Sequence, residues 1–153
     1  MEVFDETVHA LANAGVMVVL NNHISDAIWC CGEDDGNGLW HNESYSTADW
    51  IQSVRDISDR YKDIPMVVAH DLRNEIRYDK KNNLTPEWGT GNKDVDWKWA
   101  AITAGNEVLR VTPDQLIIVE GLSYAYDMSP IKTSPIELNK PNKLVYSFHY
   151  YDW

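Results

Sequence analysis

The chain has 153 residues and 44% hydrophobic content, the size and composition of about one globular domain with a real core, which excludes disorder. Its net charge of -11, with no basic stripe to offset it, opposes binding to phosphate backbones and anionic lipid, so neither nucleic acid nor a membrane is an expected partner. No stretch reaches the roughly 20 apolar residues of a membrane span, and Met1 leads into Glu2, Val3, Phe4 and Asp5 where a signal segment would turn basic and then apolar.

Phe4, Val8 and Leu11 recur at helical spacing and Gly15 is placed as a stop, which predicts a helix over 4–14. Val16 to Leu20 reads as a strand buried on both faces, ending in Asn21, Asn22 and His23. Residues 24–45 form a long loop, and loops of this length in compact domains are usually functional. The aromatic bodies of Trp29 and Trp40 in this loop suit either stacking on a ligand or plugging the loop onto the core. Glu33, Asp35, Asn37 and Gly38 loosely echo a calcium loop, but Ser44 stands where the bidentate Glu belongs, so no metal is expected. Cys30 and Cys31, the two cysteines of the chain, are adjacent. Consecutive Cα atoms lie about 3.8 Å apart, shorter than disulfides usually take, which leaves the pair free, strained, or joined to something outside the chain.

Ser46 with Asp49 resembles a capping box, and Trp50, Ile51, Val54, Ile57 and Tyr61 continue it as a helix over 47–61, with Trp50 facing the core. Met66 to Leu72 is the second strand, running into Arg73, Asn74, Glu75 and Arg77. Joining two apolar strands through a helix predicts a βα repeat with parallel strands. Residues 78–95 are too broken by Asn, Gly and Pro for an element. Asp94 or Asp96 then caps a helix whose face carries Trp97, Ala101, Ala104 and Val108. Leu116 to Val119 forms the third strand and ends in Glu120. Pro130, Pro135 and Pro141 confine any helix in 121–143 to a short piece around 134–139, and Leu144 to Phe148 is the fourth strand, leading to His149 and Tyr151.

Each strand therefore delivers polar groups at its C-terminal end: His23, then Asn74 and Glu75, then Glu120, then His149 and Tyr151. In a (β/α)8 barrel that end is the catalytic face, and a full barrel takes about 250 residues. The predicted fold is α/β, a half (β/α)8 barrel in one partial domain over 1–153.

In this order and spacing the residues resemble the family five glycoside hydrolases, the cellulase family. The resemblance rests on Asn21-Asn22-His23, Asp71-Leu72-Arg73-Asn74-Glu75, Val119-Glu120-Gly121 and His149-Tyr150-Tyr151. It implies that the chain covers the third to sixth barrel strands, with retaining catalysis and no cofactor. Glu75 matches the general acid/base and Asn74 the residue that binds the sugar 2-hydroxyl. His23, His149 and Tyr151 match residues that line the sugar subsite and orient the nucleophile, and Glu120 is expected beside them as a substrate-binding residue. The family also implies an extracellular location and a carbohydrate substrate, without naming the polysaccharide.

A retaining glycosidase needs a protonated carboxyl to assist the leaving oxygen and a second carboxylate about 5 to 5.5 Å away to trap the sugar. Glu75 would begin the cycle protonated, which Arg73 and Arg77 oppose if they face its carboxylate. Ile76 stands where the family usually has Pro, which touches only the course of the loop. The larger departure is that the family nucleophile follows a seventh strand that these residues do not include. The expectation is a glycosidase domain inert as the isolated chain, with two alternatives. One is a non-catalytic carbohydrate-binding half-barrel using Trp29, Trp40, His23 and Tyr151. The other has Glu120 as substitute nucleophile, since adjacent strands lie about 4.8 Å apart. The exposed edges of a half-barrel also predict self-association.

Overall fold

The computed structural model describes residues 1–152. Among them, four strands form one sheet in the order β1-β2-β3-β4, every pair parallel. The strands are β1 Val18–Asn21, β2 Val67–Asp71, β3 Leu116–Glu120 and β4 Leu144–Ser147. Helix α1 (Glu2–Asn13) precedes β1, α2 (Thr47–Arg60) joins β1 to β2, and α3 (Trp97–Val111) joins β2 to β3. This is the predicted βα repeat, an α/β sheet with the order and parallel sense of a partial barrel.

The expected caps form. Ser46 Oγ accepts from the Asp49 N–H at 3.2 Å while Asp49 Oδ2 accepts from the Ser46 N–H at 2.8 Å. Of the two candidates before α3, Asp96 is the cap: it accepts from the N–H groups of Trp99, Gly89 and Gly91 at 3.1, 2.8 and 2.7 Å. One carboxylate thereby starts the helix and closes the irregular loop that precedes it. Asp5 of α1 accepts from Arg60 Nε and the Tyr61 hydroxyl at 2.6 Å each, tying α1 to the end of α2.

The core is built on three tryptophans. Trp40 lies 5.6 Å from Trp97 and 6.2 Å from Trp50 between ring centres, and Trp50 lies 5.9 Å from Trp97. Each indole N–H is satisfied inside: Trp40 on Thr47 Oγ1 at 3.0 Å, Trp50 on Leu72 O at 3.3 Å, Trp97 on Glu120 O at 2.9 Å. Two of those acceptors are at the C-terminal ends of β2 and β3, so the core fixes the strand ends where the polar residues emerge.

The structure corrects two local expectations. The first strand starts at Val18 instead of Val16, because Gly15 turns at φ 77 and the Val16 N–H closes α1 on Leu11 O at 3.0 Å. Nor is it buried on both faces: Val18 and Leu20 are buried with Val8, Tyr61 and Val67 on the helix-covered face, while Val19 points to the other face and is 48% exposed. The second concerns residues 134–139, which are not helical. Ile136 N–H donates to the Tyr146 hydroxyl at 2.7 Å and Asn139 N–H to Asn106 Oδ1 at 2.8 Å, so tertiary acceptors take the groups a helix would use. The helical turns sit earlier: a short one over Leu122–Ala125, distorted by left-handed backbone at Ser123 and Tyr124, and a 3-10 turn over Ser129–Lys132 with Pro130 in its first positions, where its missing N–H is harmless.

The loop after β1 is fastened to the segment after β2 at Gly38. A Cβ there would meet Arg77 O at 2.7 Å and Asp79 N at 2.9 Å, and the Gly38 carbonyl accepts from the Arg77 N–H at 2.9 Å. Only glycine admits this approach, and the loop it fastens carries Cys31 to Glu75.

Candidate active site

Glu75 is the centre of the polar cluster. It lies four positions beyond the end of β2, 5% exposed, with φ 48, a left-handed backbone that glutamate rarely adopts. Its N–H donates to Glu120 Oε2 at 2.7 Å and its carbonyl accepts from Arg77 Nη1 at 3.2 Å. Its carboxylate Oε1 accepts from the Tyr151 hydroxyl at 3.0 Å and pairs with His149 Nδ1 at 2.8 Å. The opposite face of the His149 ring, Nε2, is 3.4 Å from Glu120 Oε1, so this imidazole bridges two carboxyl groups.

Four of the six predicted residues are therefore one constellation: Glu75, Glu120, His149 and Tyr151. Asn74, next to Glu75 and 7% exposed, donates its N–H to Asn22 O at 3.1 Å, which joins the β2 end to the β1 end. His23 connects more distantly, its Nδ1 3.0 Å from Asn21 Oδ1, while Asn21 Nδ2 donates to Asp71 Oδ2 at 3.0 Å. Glu120 is only 1% exposed and its carboxyl lies beneath Glu75 instead of at the surface. His149 and Tyr151, expected to orient the nucleophile, both contact Glu75 Oε1, and His149 also faces Glu120.

Burial, followed by the charge of Asp71, pushes the Glu120 carboxyl well above the usual range, and burial raises Asp71 as well. Asp71 Oδ1 is buried without a donor when both acids are ionised. One proton shared between them, held by Glu120 and donated to Asp71, satisfies that oxygen and removes the repulsion.

The two arginines do not face the Glu75 carboxylate. Arg73 donates to Asn22 Oδ1 at 3.0 Å and Asn37 O at 3.2 Å, and burial with the nearby Arg77 charge lowers its pKa to about 10. Arg77 donates to Gly32 O at 2.9 Å as well as to Glu75 O, and pairs with Asp35 at 3.5 Å. Both brace the long loop, and Asp35 is turned to a guanidinium in place of a cation site.

The loop itself adds residues that spacing did not reveal. Cys30 and Cys31 are joined in a disulfide, and Cys31 Sγ lies 3.0 Å from Glu75 Oε2, a contact in which a bonded sulfur has no proton to donate. Trp40 is wholly buried and plugs the loop onto the core, whereas Trp29 is 83% exposed. Cys31 is a member that no strand-end pattern predicts, and Asp71, named only within the Asp71-to-Glu75 run, joins the cluster as a further acid at a strand end.

The profile of the Cellulase family (glycosyl hydrolase family 5) matches residues 1–153. The chain belongs to glycosyl hydrolase family 5. It is 34% identical over 154 residues to a glycosyl hydrolase 5 family protein of Chamaecyparis obtusa, covering 98% of this chain and 25% of the relative. An endoglucanase of Paenibacillus polymyxa is 30% identical over 162 residues, covering 99% and 38%. The catalytic domain of the major endoglucanase from Xanthomonas campestris pv. campestris superposes with a TM-score of 0.82 at 30% identity, over 99% of this chain and 43% of that one. A complex of the Pyrococcus horikoshii endocellulase with cellotetraose does so at 0.81 and 27% identity, over 99% and 44%. The chain spans less than half the length of these family 5 relatives, in keeping with a partial barrel.

Proposed function

We propose that residues 1–153 are one partial barrel domain of a retaining β-glucan hydrolase, contributing the general acid/base Glu75 and the residues that hold it. The observation that carries this reading is the Glu75 carboxylate, at the C-terminal end of a parallel sheet, between the Tyr151 hydroxyl at 3.0 Å and His149 Nδ1 at 2.8 Å. A carboxyl so held can deliver a proton to a leaving glycosidic oxygen along a fixed direction, and general acid catalysis contributes on the order of 10²–10⁴ in rate. Asn74 would bind the sugar 2-hydroxyl, and His23 the sugar from the β1 end. The relatives named endoglucanase and the cellotetraose complex favour a β-linked glucan as the substrate.

Retaining chemistry needs a second carboxylate across the sugar ring, about 5 to 5.5 Å from the first. Glu120 does not fit that place: it is 1% exposed and accepts from the Glu75 N–H on the same side. The isolated chain is therefore inert, and the missing carboxylate has to come from polypeptide outside these residues. The relative described as a major extracellular endoglucanase and the disulfide in this chain both favour an oxidising, extracellular location. The β1 edge with Val19 48% exposed, and the β4 end with Val145 at 37% and Phe148 at 66%, favour self-association.

A binding module without catalysis is the second reading, favoured by one feature, Trp29 standing 83% exposed on the loop that touches Glu75. Trp40 is withdrawn from that platform by its burial. Assay of the isolated chain on soluble β-glucan and an aryl cellobioside should show no turnover, and turnover abolished by Glu75→Gln would overturn inertness. Calorimetry with cello-oligosaccharides separates the readings: heat that Trp29→Ala removes supports the binding module.

A further inference from the structure

We infer that Glu120 is a positioning residue that acts through Glu75, fixing its left-handed backbone by one carboxyl oxygen and its carboxylate by way of His149 with the other. The inference rests on reading Glu75 as the acid/base, since only then does its exact direction matter to chemistry.

A glutamate at φ 48 does not hold that conformation by its own preference, so neighbouring groups must over-determine it. Here both ends of the residue are clamped. The N–H is fixed by Glu120 Oε2 at 2.7 Å and the carbonyl by Arg77 Nη1 at 3.2 Å. Losing the first leaves a buried N–H unpaired, and the peptide plane is free to rotate away from the conformation that aims the side chain.

Glu120 is itself held rigidly. Its carbonyl accepts from Trp97 Nε1 at 2.9 Å, its strand pairs with Ser147 of β4, and the next residue, Gly121, has no room for a Cβ beside Asp127 O at 2.6 Å. The carboxyl is thereby delivered from a fixed backbone into a dry site. Its other oxygen faces His149 Nε2 at 3.4 Å, while His149 Nδ1 faces Glu75 at 2.8 Å. With its proton given to Asp71, the neutral Glu120 competes weakly for the ring proton, and the shorter contact to Glu75, 2.8 Å against 3.4 Å, draws that proton to Nδ1, the form that donates to Glu75. Asp71, bonded to Asn21 at 3.0 Å, is the acid on the far side of Glu120 and completes the charged and titratable groups around it. At 1% exposure Glu120 cannot serve substrate directly, so its contacts with the Glu75 peptide and with His149 define its role.

The test is nuclear magnetic resonance of the isolated, isotope-labelled chain, which uses no turnover and so stands or falls separately from the proposed hydrolysis. In the unsubstituted chain, scalar coupling across the hydrogen bond should link the Glu75 amide nitrogen to the Glu120 carboxyl carbon, and the His149 ring should show one Nδ1–H tautomer. Glu120→Leu should lower hydrogen-exchange protection of the Glu75 amide by about tenfold or more, and mix the His149 tautomers, while Ile117 and Val119 keep theirs. Glu120→Gln, whose carboxamide oxygen accepts the same bond, should restore protection. A merely structural carboxyl would change the protection of β3 and leave the His149 ring alone. Absence of the coupling in the unsubstituted chain, or a folded Glu120→Leu with Glu75 protection and His149 tautomer unchanged, overturns the inference. The coupling decides the matter if Glu120→Leu does not fold.

Discussion

The Tyr151 hydroxyl donates to Glu75 Oε1 at 3.0 Å although the two residues are 76 positions apart in the chain. The contact spans the sheet from the end of β2 to the end of β4, so it exists only when the strands are ordered and parallel as found. The neighbouring carboxylate raises the Tyr151 phenol, because a phenolate would repel it and lose the hydrogen bond it donates. Glu75→Gln should lower the Tyr151 titration midpoint toward the ordinary tyrosine value, read from its ring carbon resonance. An unchanged midpoint contradicts the contact.

The Cys30–Cys31 bond sets what faces the second oxygen of Glu75. Reduction places a thiol on Cys31, 3.0 Å from Oε2, where it can donate to the carboxylate. Under excess dithiothreitol the Glu75 carboxyl carbon resonance at neutral pH should move from its position in the oxidised chain, and an unchanged resonance in the two states would contradict the contact.

Stability should fall as pH rises above about 6.5, the ordinary histidine value. Glu120 has a folded pKa raised above its unfolded one, so the folded state binds the proton more tightly and its stabilisation is lost as pH climbs toward the raised value. His70 opposes this on the acid side: burial lowers its pKa to about 4, so its contribution is lost as pH falls from the unfolded histidine value toward 4. Above that unfolded value only the Glu120–Asp71 slope remains of the two. Urea midpoints measured from pH 6.5 to 8.5 should decline, and Glu120→Gln should flatten the decline.

The two loop tryptophans should behave oppositely. Trp40 is fully buried in the three-indole core, and Trp40→Ala should cost about 3–5 kcal/mol. Trp29, 83% exposed, should cost no more than about 0.5 kcal/mol on the same change. Denaturant unfolding measures both.

Light scattering should show the isolated chain self-associating with concentration, and Val19→Lys together with Val145→Lys should reduce this by charging both sheet edges. A monomer at all concentrations contradicts the edge-pairing account.

The strand ends were legible in the sequence because each apolar run stops abruptly at a polar residue: Leu20 before Asn21, Val119 before Glu120. Those junctions order Glu75, Glu120, His149 and Tyr151 on one end of the sheet without any knowledge of distance. What spacing could not carry was direction. Arg73 and Arg77 flank Glu75 in sequence, yet both turn to loop carbonyls, a choice made by the packing of residues far along the chain. The division between Trp29 and Trp40 was likewise hidden, since burial of Trp40 depends on Trp97 of α3, 57 positions later by number. The same limit applies to 134–139, where acceptors on Tyr146 and Asn106 displace the local turn preference.

The central claim is that Glu75 is the acid/base of a β-glucan hydrolase. Its most direct test is a chimera in which residues 1–153 replace the matching segment of the Xanthomonas campestris endoglucanase catalytic domain, which superposes over 99% of this chain. The chimera should hydrolyse soluble β-glucan, and Glu75→Gln should reduce kcat by about 10²–10⁴ with the fold intact. A folded, active chimera whose turnover survives Glu75→Gln would contradict the claim.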